Sequence, residues 1–259
     1  MQKGCQALPW LRTGEAISQT LATIKHAGYE GVELGHRFMR QTPPQLLHEM
    51  LSQEQLKLAA MHWSPPWHQM TDQDTREAIE DVLRYVRPIG AIILTSSTNT
   101  PELLEDGSLN TAKGVNRQLR LAQDLANDAG TTLLFHNHAW EFAIPKLFDT
   151  LTAEISLAVD VAHLERGTGQ AQHLLHEWHE RIRYLHLRDI ENGHWTPALG
   201  LGNLPICHWI QELQDQVLWA VVEMEPDPKF PDISATWTHS LQHYAHQSWE
   251  YLRGCLSNS

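Results

Sequence analysis

Residues 133–142, LLFHNHAWEF, pass through two leucines and a phenylalanine and then present His136, Asn137, His138, Trp140 and Glu141. A short apolar run marks a strand buried on both faces. The polar burst directly after it sets imidazoles, an amide and a carboxylate at the strand's C-terminal end. The pattern returns three times: SLAVDVAH (156–163) closes on Asp160 and His163, RYLHLRD (183–189) carries His186 and Arg188, and WAVVEMEPD (219–227) carries Glu223 and Glu225. Gathered at one mouth, Glu141, Asp160 and Glu223 would repel one another, and some would protonate. A divalent cation resolves that conflict, and His186 adds a nitrogen donor. Three carboxylates and one imidazole, with positions left for water or substrate, suit Mn²⁺, Mg²⁺, Co²⁺ or Zn²⁺. Taken singly, each residue has a plainer reading, since a strand-end Asp also caps helices and a strand-end His also packs. The coincidence of four such ends is what points to a metal.

An alternation along the chain positions those ends. Apolar strand candidates fall at 4–8, 29–34, 57–61, 91–95, in the opening stretch 133–142, and at 156–160, 183–187 and 217–223. Helical periodicity separates them at 15–27, from Pro43-Pro44, up to Arg87 from a cap at Thr71-Asp72, and at 111–129, 147–153 and 170–180. It resumes from Pro205 and over 235–254, while Pro9 and Trp10 end the first strand. Eight strands alternating with eight helices predict a parallel sheet covered by helices, and in about 250 residues that is the size of a closed barrel. The expected fold is α/β: a single (β/α)8 TIM barrel domain over 1–259, with an open doubly wound sheet as the weaker alternative. Active sites of such barrels lie at the C-terminal ends of the strands, which is where the polar residues fall.

The 31 acidic residues against 19 Lys and Arg give a net charge of −12. That balance disfavours nucleic acid and anionic membrane as partners. No apolar run reaches the roughly 20 residues needed to cross a bilayer. Cys5, Cys207 and Cys255 are odd in number and widely spaced, which reads as three reduced thiols in a cytoplasmic protein. The GxG pairs at 167–169 and 200–202 lack a dinucleotide-binding context and read as tight turns. The Gly200–Gly202 turn is also where backbone amides could hold a phosphate, because such barrels place phosphate sites near strands seven and eight.

AGYEGVEL (27–34), FHNHAWEF (135–142), LAVDVAHLERGTG (157–169), YLHLRD (184–189), VVEMEPD (221–227) and SWEYLRG (248–254) resemble, in order, the blocks of the xylose isomerase-like barrel superfamily, in its sugar phosphate isomerase/epimerase branch. The resemblance covers essentially the whole chain. It implies Glu141, Asp160, His186 and Glu223 as metal ligands, with Glu141 and Glu223 as the catalytic acid and base. His136 or His138 is an alternative to Glu141 as ligand, and Glu225, of the same strand parity, an alternative to Glu223. The implied activity is metal-dependent isomerisation or epimerisation of a keto-sugar or related polyol through an enediolate. The cation acidifies the proton beside the carbonyl, and two carboxylates move it. His62, His138, His163 and Arg188 are candidate substrate contacts. Trp10, Trp63, Trp67 and Trp140 follow strands and offer aromatic faces to sugar C–H surfaces. The same site would serve a dehydratase of the inosose dehydratase type, because an enolate can expel a β-hydroxyl. A non-catalytic sugar-binding barrel and an endonuclease IV-like nuclease rank lower, the nuclease because it needs three zinc ions and a basic groove that this charge does not supply.

Overall fold

The computed structural model describes residues 1–40, 42–97, 108–224 and 241–257. Eight parallel strands form a closed barrel: β1 (Gln2–Gln6), β2 (Gly31–Gly35), β3 (Lys57–His62), β4 (Ile92–Thr95), β5 (Leu133–His136), β6 (Leu157–Asp160), β7 (Ile182–Leu187) and β10 (Trp219–Val222). They close in the order β1-β10-β7-β6-β5-β4-β3-β2. The protein is a (β/α)8 TIM barrel, as the alternation of strand and helix signals predicts. Two short strands, β8 (Ile190–Glu191) and β9 (His194–Trp195), make a separate antiparallel ladder. By contact density the chain falls into two compact units, Met1–Ala59 with Tyr184–Ser259, and Ala60–Arg183.

In the first unit β1 pairs with β2 and β10, and β10 with β7, in a register that sets Gln6 beside Glu33 and Val221 beside His186. The first strand ends earlier than expected, at Gln6, because Leu8–Arg12 is helical. Pro9 sits in that helix's first turn, where a missing N–H leaves nothing unsatisfied. Helix Ile206–Leu213 buries Ile206, Trp209, Ile210 and Leu213, the i, i+3, i+4, i+7 stripe of a helix against a core. It is tied to helix Leu241–Ser257 by a Cys207–Cys255 disulfide and by Gln211 Nε2 donating to the Cys255 carbonyl. The expectation of three free thiols therefore gives way to one disulfide and one buried thiol, Cys5. Sequence spacing could not reveal this pair, because the fold brings the two helices together across 48 positions. Glu225 and the expected helical stretch 235–240 lie outside the described residues.

In the second unit β4 pairs with β3 and β5, and β5 with β6. Thr71 caps helix Asp72–Val86 through a reciprocal box with Asp74, an arrangement worth about 1 kcal/mol that Thr71→Ala would remove. The helix buries Thr75, Ile79, Val82, Leu83 and Val86, and Thr75 Oγ1 donates to Gln118 of helix Ser108–Asp128. Gly167 is not in a tight turn, as expected, but inside helix Val161–Thr168. A Cβ there would meet the Ala139 carbonyl at 2.7 Å, so glycine lets this helix pack on the turn Ala139–Phe142. Among the described residues no helix is long and apolar enough to cross a membrane.

Candidate metal centre

The end of β5 and the end of β6 are locked together by one side chain. Asn137 accepts the Asp160 backbone N–H at 2.9 Å and donates to the Asp160 carbonyl at 3.2 Å. An amide can do both at once, which fixes where Asp160 leaves its strand. Asp160 Oδ1 then accepts the His163 N–H at 2.8 Å, capping helix Val161–Thr168. The cap engages Oδ1 and fixes the orientation of the Asp160 carboxylate, which offers one ligand atom to the group described below.

Four imidazoles gather around these strand ends. The His136 ring lies 4.8 Å from His138, 5.7 Å from His62 and 6.3 Å from His163, between ring centres. His163 Nδ1 accepts the Ala139 N–H at 3.3 Å, which assigns the proton of its neutral ring to Nε2. His62 Nε2 is bonded to Ser64 Oγ at 3.1 Å. Glu141 is fully buried: it accepts the His138 N–H at 2.8 Å and a hydrogen bond from Ser97 Oγ. Burial disfavours its charged form and raises its pKa to about 8 against the pull of those two donors.

In the other unit the organising group is Glu33 on β2, with no exposed surface. Its Oε1 accepts from Gln6 Nε2 at 3.0 Å; its Oε2 accepts from Tyr184 Oη at 2.8 Å and from His186 Nε2 at 2.5 Å. Tyr184 and His186 are two apart on β7, so a strand's alternation turns both to the same side. His186 Nδ1 faces Glu223 Oε2 at 2.9 Å. Burial works to lower the His186 pKa, but Glu33 and Glu223 on either side outweigh it and hold the imidazole well above its usual value. Glu223 Oε1 pairs with Arg188 at 2.6 Å, and the Arg188 guanidinium lies over the Trp195 ring at 4.6 Å. Arg188 is thus engaged by Glu223 rather than by the neighbouring Asp189.

His136, Asp160, His186 and Glu223, all buried, each offer one ligand atom, and these four atoms lie within 4.8 Å of one another. Two imidazoles and two carboxylates at that spacing fit a divalent cation: the donors are of the right type, and the ion would balance carboxylates that share a buried space. The fourth member is His136, while Glu141 is drawn to Ser97 and the His138 amide. Trp10, Trp63 and Trp67 are buried, and Trp67 Nε1 donates to the Ser96 carbonyl. Glu33, Gln6, Tyr184 and Asn137 were not expected in roles here. For Glu33 the signal was present: a carboxylate inside the apolar run GVEL must be paired if that strand is buried.

Residues 21–247 match the family model described as xylose isomerase-like TIM barrel. The chain belongs to that family. Among curated proteins it is similar to inosose dehydratase 1 of Bacillus cereus, 24% identical over 265 residues, covering 85% of this chain and 86% of that one. Among solved structures it resembles a sugar phosphate isomerase/epimerase from Parabacteroides distasonis, with TM-score 0.71, 18% identity, and coverage of 94% and 92% of the two chains. It also resembles a probable 3-DHS dehydratase from Bacillus anthracis, with TM-score 0.73, 13% identity, and coverage of 98% and 99%. At these identities the structural likenesses speak for the fold.

Proposed function

We propose that the protein is a divalent-metal-dependent isomerase or epimerase of a keto-sugar or related polyol, moving a proton on the carbon beside the carbonyl through an enediolate. The observation that carries this reading is the buried group His136, Asp160, His186 and Glu223 at the barrel's strand ends. These residues would hold the ion. Two imidazoles beside two carboxylates favour Mn²⁺, Co²⁺ or Zn²⁺ over Mg²⁺, which prefers oxygen and water. The bound ion would polarise the carbonyl and acidify the neighbouring C–H.

The chain's own residues do the rest. Arg188 pairs with Glu223 Oε1 at 2.6 Å and so positions the carboxylate that would accept the proton. Glu141, with a pKa near 8, keeps its proton at neutral pH and is suited to give one up as the acid. His62, His138, His163 and Arg188 are the candidate contacts for substrate hydroxyls. Glu33 sets the orientation of the His186 ring by accepting from its Nε2, the kind of support that ligating imidazoles ordinarily have.

A second reading, a dehydratase, is favoured by the similarity to inosose dehydratases over 85% of the chain. It shares the first step, after which an acid would protonate a departing β-hydroxyl. One experiment separates the two. Metal-loaded protein is incubated in deuterated water with a panel of keto-sugars and an inosose, and the products are followed by NMR and ultraviolet absorption. Deuterium beside the carbonyl together with a new isomer supports the leading reading. Loss of water with a conjugated-enone absorbance supports the dehydratase. No exchange with any substrate, while metal is bound, sinks both.

A further inference from the structure

The loop after β7 converges its backbone N–H groups on one point. Gly200 and Gly202 each donate to Asp189 Oδ2 at 3.0 Å, while Ile190 and Leu204 donate to Oδ1 at 2.9 and 3.2 Å. Asp189 is 1% exposed, and among the described residues no Lys, Arg or His forms an ion pair with it. Four amides around one anion make a cradle of the kind that binds phosphate. The loops after strands seven and eight are where barrels of this kind commonly hold a substrate's phosphate. Here the cradle is shaped around the chain's own carboxylate. Gly200 has φ +80°, in the region that favours glycine, and a Cβ on Gly202 would run into the Asp189 side chain. The adjacent cation, Arg188, is engaged by Glu223.

We propose that Asp189 permanently fills this anion cradle, and that the substrate of the site is therefore an unphosphorylated sugar or polyol. The substrate class rests on the function proposed above; the filled cradle does not. A phosphate brought to this loop would find its amide donors taken and a buried negative charge facing it. The net charge of −12 adds to the disfavour for an anionic substrate.

Thermal unfolding with added inorganic phosphate or formate tests the cradle without any need for activity. The wild-type Tm is expected to stay the same with either anion at millimolar concentration. Asp189→Ala is expected to melt several degrees lower and to recover part of the loss when either anion fills the vacated cradle, since a ligand of the folded state raises Tm. Failure of both anions to rescue a folded Asp189→Ala protein would overturn the proposal, as would a phosphate-induced rise in the wild-type Tm. If the variant does not fold, the wild-type titration alone decides. Once a turned-over sugar is known, the wild type should prefer it over its phosphorylated counterpart by roughly 100-fold in kcat/KM, the scale of a like-charge clash. A preference for the phosphorylated form would refute the substrate class. Absence of turnover with either would count against the proposed function, while the anion rescue still judges the cradle.

Discussion

Replacing Glu33 by Gln should weaken both the fold and the metal centre. The Glu33 carboxylate is fully buried and accepts from Gln6, Tyr184 and His186. Gln keeps its shape but turns one acceptor oxygen into a donor. In the less damaging orientation the amide oxygen still meets Tyr184 and His186, and the new NH₂ is set against Gln6 Nε2. A buried donor left without an acceptor costs about 1–3 kcal/mol, and exchanging a charged acceptor for a neutral one costs about 1 kcal/mol for each of the two remaining bonds. Removing one buried charge offsets part of this, so the net loss is about 2–4 kcal/mol. For a chain of this length that lowers Tm by about 5–15 °C. The His186 ring also loses the anionic partner on its Nε2, which should weaken divalent-ion affinity by about 10–100-fold. Calorimetric melting in chelator reads the first effect, and titration of Mn²⁺ into metal-free protein reads the second. Tyr184→Phe, which removes one donor and leaves the His186–Glu33 bond, should lower Tm by less and leave affinity near wild type. A Glu33→Gln protein that melts and binds Mn²⁺ like wild type would refute the role given to Glu33.

Two further outcomes follow from the same structure. Glu141 has its pKa raised from 4.5 to about 8 by burial, so the folded chain holds that proton more tightly than the unfolded one. Its contribution is fully present below about pH 4.5 and is lost as pH rises through about 8, by at most about 5 kcal/mol. Glu141→Gln should flatten the fall in stability between those limits, as measured by urea unfolding in chelator across pH; an unchanged pH slope would contradict the assigned burial. The Cys207–Cys255 bond closes a separation of 48 positions, which corresponds to about 4 kcal/mol of loop closure. Reductant should therefore lower the wild-type Tm but not that of Cys207→Ser, and unfolded, unreduced protein should show a single reactive thiol, Cys5. Three reactive thiols would show the bond to be absent.

The fold was legible because most barrel strands, β1 (QKGCQ) aside, are apolar runs that break into polar residues, a pattern set by burial on both faces and by chain reversal at the strand end. The Thr71 cap was legible for the same local reason, since Thr and Asp at that spacing satisfy the N–H groups of the helix start. What sequence could not resolve depended on the shape of a turn or on long-range approach. The end of β5 and the turn after it carry His136, His138 and Glu141 within six residues, and only the path of that turn decides which one faces Asp160. The 3₁₀ turn Ala139–Phe142 swings Glu141 toward Ser97 and leaves His136 with the donor group. Gly167 read as a turn residue because its contact with Ala139 is tertiary. The Cys207–Cys255 bond and the three donors on Glu33 likewise join residues that no local pattern relates.

The central claim, that the four strand-end residues hold one divalent ion, is tested most directly by elemental mass spectrometry of untagged protein. An Asp160→Asn, Glu223→Gln double variant and Glu141→Gln are measured alongside, with circular dichroism to confirm that each is folded. A single divalent ion per chain is expected, retained by Glu141→Gln and lost from the double variant. A folded wild type that binds no ion, or a double variant that keeps its metal, would contradict it.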